Sequence, residues 1–590
     1  MKNFLPISQE DLKKRGWNEL DIILVTGDAY VDHPSYGAAL IGRVLENASF
    51  KVGIIAQPDW RTLSDFKKLG RPKLFFGVTA GNIDSMLAKY TANKKIRNDD
   101  DYSPGRQAFL RPERASIIYA NKLQQAFKGV LIVLGGIEAS MRRLAHYDYW
   151  SNKVRRSLLM DSKADILVYG MGEKQILEIA RRLKGLAGVT GLDNISGTVV
   201  ARKSLDGIKN YILVSSFEEI VQDKDAFNTV FKAIYSESDP VSGKAIVQKC
   251  GDRFLVQYPP ALPLSREEMD KIYTLPYMRN WHPKYNKDGG VPGFETVRNS
   301  ITSHRGCSGG CSFCSLYLHQ GRLIQSRSIK SIVKEITEIA EDKKFRGTIT
   351  DIGGPTANMY MAACSLWEET GACRDKRCLM PEKCENFRVG YKHSIRLWKE
   401  LKNIPGIKHI FAGSGLRYDL LIDRYSDEYL HELCASHISG QLKVAPEHCA
   451  EPVLELMNKP AFAKYKKFID RFKTVNKRLG KQQYLVNYFI SGHPGTRLED
   501  AFELAVYLAK NHINSKQVQD YIPLPMTISA AMYYTEKNPL TNKNLYVAKA
   551  QSERAMQRAL LQYGNPRNRK HLLQALKILG KENLKKLFWG

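Results

Sequence analysis

A chain of 590 residues is too long for one hydrophobic core and should divide into about three to four domains. Its 43% hydrophobic and 25% charged residues exclude long disorder, and its most apolar run, G-V-L-I-V-L-G-G-I at 129–137, is too short to span a bilayer. A formal net charge of +28 favours polyanionic partners, although a basic solvated surface accounts for such an excess equally well.

The opening M-K-N-F-L-P-I-S-Q-E-D-L-K-K-R lacks the apolar segment of a signal peptide, so a cytoplasmic protein with no membrane partner is expected. Short apolar runs follow at 21–27, 51–57, 73–79, 129–136 and 164–170, with helical patterns between them. Such alternation predicts a doubly wound, Rossmann-like parallel sheet, giving an N-terminal α/β domain over 1–190. Between 191 and 290 the alternation stops, and G-T-V-V-A-R, Y-I-L-V-S-S and R-F-L-V-Q-Y read as strands of a hairpin-rich connector. Alternation resumes over 291–535, with strands near 298–304, 346–352, 407–412, 439–445, 484–490 and 516–521. Six βα units make a partial barrel, whose site is expected at the C-terminal ends of the strands. The last segment, 536–590, carries twelve Lys or Arg against three acids and reads as a basic helical tail.

Just after the first barrel strand stands S-H-R-G-C-S-G-G-C-S-F-C, in which Cys307, Cys311 and Cys314 follow C-x3-C-x2-C. Clustered cysteines in a long intracellular chain point to metal or catalysis rather than disulfides. Three thiolates among glycines suit three irons of a four-iron cube, leaving one iron open to a small molecule. Zinc is the competing ligand, with His304 or His319 completing a tetrahedron; a single C-x2-C knuckle suits structural zinc less well.

This spacing, with Phe313 before the last cysteine, resembles the signature of the radical S-adenosylmethionine superfamily. Further segments, among them G-G-I-E-A-S-M-R-R-L-A-H-Y-D-Y-W (135–150), Y-T-L-P-Y-M-R-N-W-H-P-K-Y (273–285), G-G-P-T-A-N-M-Y (353–360) and K-V-A-P-E-H (443–448), resemble the YgiQ family within it. The likeness covers nearly the whole chain. It implies a partial (β/α)6 radical S-adenosylmethionine barrel holding a 4Fe-4S cluster on Cys307, Cys311 and Cys314, with S-adenosylmethionine on the open iron. It also implies an electron donor such as a flavodoxin or ferredoxin, and a 5′-deoxyadenosyl radical that takes hydrogen from an unknown substrate. Gly353 and Gly354 resemble the glycine motif that receives the methionine amino group, and Ser414 is a candidate for the ribose or carboxylate.

Cys364, Cys373, Cys378 and Cys384, spaced x8, x4 and x5 in one long loop, form a candidate second site for an iron–sulfur cluster or zinc, with free thiols as the alternative. Cys250, Cys434 and Cys449 stand alone and are expected in the core. His319, Arg322, Glu447 and His448 are the polar groups near enough to barrel strand ends to face substrate or donate a proton. The N-terminal sheet is similar to the cobalamin-binding domains of related enzymes, whose ligand motif is D-x-H-x-x-G. Here Asp32-His33-Pro34-Ser35-Tyr36-Gly37 sets the histidine one place early, so cobalamin is not expected; a nucleotide or no ligand is open. The rival from another class is a non-catalytic nucleic-acid-binding protein, stapled by metal and docking through its basic tail.

Overall fold

The computed structural model describes residues 3–185 and 189–588 and divides into two compact units. The first comprises Met1–Asn299 with the short stretches Leu318–Gly321 and Glu369–Gly371; the second takes the rest of Ser300 to Gly590.

Five parallel strands centre the first unit: β1 Ile22–Thr26, β2 Val52–Ala56, β3 Phe75–Thr79, β4 Ile132–Gly135 and β5 Ile166–Val168. Every residue of β1 and β2 is buried, because helices cover both faces of a parallel sheet and leave no solvated side for alternation. Their spatial order is β5-β4-β3-β1-β2, so the winding reverses between β1 and β3.

The expected connector is part of this sheet. Strands β6 Thr198–Arg202, β7 Tyr211–Val214, β8 Ala245–Cys250 and β9 Arg253–Gln257 continue it in the order β7-β8-β9-β6-β5, giving nine strands. β6 lies antiparallel to β5 and to β9, and so covers the hydrogen-bonding edge that β5 would otherwise expose.

In the second unit, β10 Ser300–Thr302 pairs with β12 Asp351–Gly353, and β11 Thr348–Ile349 pairs with β13 His409–Ile410. A Leu416–Val444 bridge leads to β14 Gln441–Glu447, followed by β15 Tyr484–Ser491 and β16 Val518–Asp520. All these pairings are parallel and run in chain order, as successive βα units require, and the six expected strand positions are all occupied. Among the described residues β10 and β16 do not pair, which leaves the barrel open. The helix Ile329–Ala340 shows the local logic: Ser328 caps it by accepting from Ser331 N, and Ile332, Ile336 and Ile339 form the buried stripe.

The C-terminal segment is built into this unit. Met556, Leu560 and Leu561 of Gln551–Leu561, with Leu572 and Leu576 of Arg569–Ile578, lie in one core with Leu504 and Leu508. Part of its charge also turns inward. Arg554 is buried and donates to the Tyr521 carbonyl, and Arg558 pairs with Asp520 at 2.8 Å. Among the described residues no helix is long and apolar enough to cross a membrane.

Candidate cluster and cofactor site

The three-cysteine loop leaves the C-terminal end of β10 and is pinned from several directions. Asn458, in a left-handed conformation just after the helix Glu451–Met457, donates its amide to the carbonyls of Gly309 and Gly310 at 3.2 and 2.8 Å. Ser312 N donates to Met457 O at 2.9 Å, Ser529 N to Ser312 O at 2.9 Å, and Ser308 Oγ to Arg322 O at 2.9 Å. Apart from Arg322, these anchors stand over 140 positions away, and they hold the backbone rather than the sulfurs.

Cys307, Cys311 and Cys314 are free and half-buried. Burial, and then the neighbouring Cys311 and Cys307, push the Cys314 thiol up to about 12; burial and Cys311 also raise Cys307. Three thiols this close and this dry resist ionising together unless positive charge stands between them, which the irons of a cluster supply. Backbone amides of Gly309, Leu316 and Tyr317 already point at these sulfurs. The loop carries one C-x2-C knuckle where structural zinc sites pair two, so the three thiols suit zinc less well. Cys250, Cys434 and Cys449 are buried, as expected.

Arg417 brings a fixed cation to the loop. Its Nη1 donates to Cys311 Sγ at 3.8 Å, while Nε and Nη2 form a two-pronged pair with Asp419 at 2.9 and 2.7 Å. A side chain at Gly309 would stand 2.7 Å from Arg417 Nη1 and 3.3 Å from Cys307 Sγ, so only glycine lets the guanidinium reach the loop. Reducing a cluster adds negative charge beside this cation, so Arg417→Gln should make the midpoint potential more negative. A redox titration followed by electron paramagnetic resonance reads the shift, and an unchanged potential would remove Arg417 from this role.

At the neighbouring strand ends, Gly353 and Gly354 serve close packing. A side chain on Gly353 would lie 2.7 Å from Ser414 Oγ, and one on Gly354 would lie 2.5 Å from the His304 carbonyl. Ser414 donates its hydroxyl and its amide to Asp351, whose pKa burial raises. The serine hydrogen is thus committed within the protein, and its lone pairs are what it can offer a ligand.

At the end of β14, Glu447 sits buried at a positive φ of 66°, a strained conformation for a non-glycine residue, with Lys459 Nζ 3.7 Å away. Next to it, burial holds His448 down at about 3, so it carries no imidazolium proton to donate. Its Nδ1 accepts from Ala450 N at 3.1 Å, which leaves Nε2–H as a buried donor with no partner among the described residues. Such an orphan invites a ligand acceptor. His319 belongs to the stretch grouped with the first unit, its Nδ1 2.9 Å from Ser140 Oγ. Arg322 turns to the second cysteine loop, donating to Cys373 O at 3.3 Å and Lys376 O at 3.4 Å.

This chain matches the family described as Radical SAM N-terminal over residues 4–300, the Radical SAM superfamily over 301–508, and a domain of unknown function over 516–586. A UPF0313 protein of Clostridium botulinum (strain 657 / Type Ba4) is 50% identical over 582 residues, covering 99% of this chain and 91% of its own. The chain belongs to the UPF0313, or YgiQ, family of radical S-adenosylmethionine proteins. A UPF0313 protein of Methanocella arvoryzae is 49% identical over 578 residues, 98% of this chain and 96% of its own. Among solved structures, the cobalamin-dependent S-adenosylmethionine radical enzyme OxsB with aqua-cobalamin bound aligns at 12% identity and a TM-score of 0.49, over 98% of this chain and 77% of its own. The radical S-adenosylmethionine methyltransferase TsrM from Kitasatospora setae aligns at 15% identity and 0.47, over 86% and 75%.

In this UPF0313 chain an internal ion network spans the crevice between β1 and β3, where a sheet of this order takes its ligands. Arg111, buried, reaches Asp28 beyond β1 at 2.8 Å, Asp100 at 3.2 Å and the Ala80 carbonyl beyond β3 at 2.5 Å. His33 is also buried, with Ser35 N 3.1 Å from its Nδ1 and the Arg279 guanidinium 3.3 Å from its Nε2. Nδ1 accepts from Ser35 N, so in the neutral ring the proton sits on Nε2.

Among the residues of the site that escaped the sequence are Asp351, Arg417, Asn458 and Lys459. Arg417 closes the same G-S-G-L-R that drew attention to Ser414, and a search for a cation to balance the cluster could have found it. Nothing local marks the other three.

Proposed function

We propose that this radical S-adenosylmethionine enzyme holds its four-iron cluster on Cys307, Cys311 and Cys314 and takes S-adenosylmethionine at the fourth iron. The observation that carries this reading is the pinned loop of three mutually acting, half-buried thiols with Arg417 at Cys311 Sγ. When bound, the reduced cluster supplies one electron that splits S-adenosylmethionine into methionine and a 5′-deoxyadenosyl radical, which takes a hydrogen atom from the substrate. The chain's own part is to hold and to shield. Asn458 and Ser529 fix the loop, Arg417 balances its charge, the Gly353 and Gly354 backbone with Ser414 lines the strand ends, and His448 Nε2–H awaits an acceptor. Anaerobically reconstituted, dithionite-reduced protein should form 5′-deoxyadenosine from S-adenosylmethionine; none formed, despite a full load of iron and sulfide and whatever substrates are offered, would count against the assignment.

For the N-terminal sheet the reading is that no corrin is coordinated. Supporting it are the internal Asp28–Arg111–Asp100 network and the burial of His33, whose Nδ1 already accepts from Ser35 N. Hydroxocobalamin offered to the full chain should pass through desalting unretained, and stoichiometric retention with a changed visible spectrum would refute this. As electron donor, a flavodoxin or ferredoxin suits the basic surface, since such carriers are acidic. Nucleic acid is the second polyanion that charge favours, through exposed Arg567, Lys570, Lys577, Lys581, Lys585 and Lys586.

A further inference from the structure

The loop between the second and third barrel strands folds four cysteines towards one another. Cys364 pairs in a short antiparallel ladder with Phe387; Phe387 N donates to Cys384 O at 3.0 Å, and Cys384 N to Cys378 O at 2.9 Å. Cys373 is held by its carbonyl to Arg322. All four thiols are free and half-buried, and Cys364, Cys373 and Cys384 each act electrostatically on Cys378. The backbone thus links Cys364 through Phe387 and Cys384 to Cys378. The spacings x8, x4 and x5 lack the C-x2-C knuckle on which structural zinc sites are built.

The surroundings match as well. Cys378 and Cys384 pack on an apolar patch of Met359, Ala362, Leu379, Phe387 and Leu420, and Cys307 of the first site packs on the same patch. Two half-buried cations, Arg322 and Arg377, stand beside the thiols. A cube held by four thiolates carries a net charge of about −2, which cations and a dry apolar wall stabilise and tune.

We infer that Cys364, Cys373, Cys378 and Cys384 ligate a second four-iron, four-sulfur cluster, one with every iron bound by the protein and none open to a small molecule. It stands independently of the first cluster's assignment, and the experiment separates the two. The full chain carrying Cys307→Ala, Cys311→Ala and Cys314→Ala together, reconstituted anaerobically, should still hold about four iron and four sulfide per chain. On reduction it should show a paramagnetic signal that S-adenosylmethionine does not alter. The reciprocal Cys373→Ala/Cys384→Ala chain should lose about half of the wild-type iron while keeping the signal that S-adenosylmethionine perturbs. Circular dichroism checks the fold of each, and should the reciprocal variant misfold, the triple variant alone decides. Iron and sulfide absent from a folded triple variant, or about one zinc in their place, would overturn the inference.

Discussion

Replacing Cys311 with alanine is expected to abolish 5′-deoxyadenosine formation, a loss on the order of a thousandfold or more, while the protein keeps its fold. The fold survives because the loop is held through its backbone by Asn458, Ser529 and Met457 rather than through sulfur. Nor does the exchange strand a charge, since Arg417 retains its two-pronged pair with Asp419. Chromatographic assay of 5′-deoxyadenosine, with circular dichroism beside it, makes the comparison. Cleavage at the wild-type rate in a folded Cys311→Ala protein would show that the radical chemistry does not depend on this loop.

Truncation after Ala550 is expected to cost the second unit its cooperative fold. The removed helices bury Met556, Leu560, Leu561, Leu572 and Leu576 against Leu504 and Leu508. Large-to-alanine changes in such positions cost about 2–5 kcal/mol each, so Leu560→Ala and Leu572→Ala together approach the whole stability of an ordinary domain, about 5–15 kcal/mol. Thermal unfolding followed by circular dichroism, together with iron retention, reads the effect; a truncated chain with its transition and iron intact would make these helices an appendage. A docking role for the exposed lysines is therefore better tested by Lys570→Gln, Lys577→Gln and Lys585→Gln than by deletion. Those changes should flatten the salt dependence of RNA binding without unfolding the protein.

Much of the architecture can be read directly from residues 21–27, 51–57 and the six barrel runs. A parallel strand buried on both faces must be apolar along its length, and its crossover helix must carry a stripe at 3.6-residue spacing. Both are local requirements, so both are visible locally. The cluster loop is legible for the same reason, because its three ligands lie within eight positions. The fate of 191–290 is not local. Whether Thr198–Arg202 forms a separate hairpin or covers the open edge of Ile166–Val168 depends on which edge is unpaired in space. The basic tail misleads in a similar way, since twelve cations in the last 55 residues conceal the leucine stripe that docks it.

The sequence by itself determined the family, the two βα systems and the cysteines, because these rest on short-range spacing and on which residue types can bind iron. Only the tertiary structure decided what surrounds them: Arg417 at Cys311, Asn458 under the loop, Arg322 on the second cysteine loop and Arg111 in the N-terminal crevice. The physical reason is that charge balance and hydrogen bonding act through space, between partners such as Asn458 and Gly309 that stand 149 residues apart along the chain.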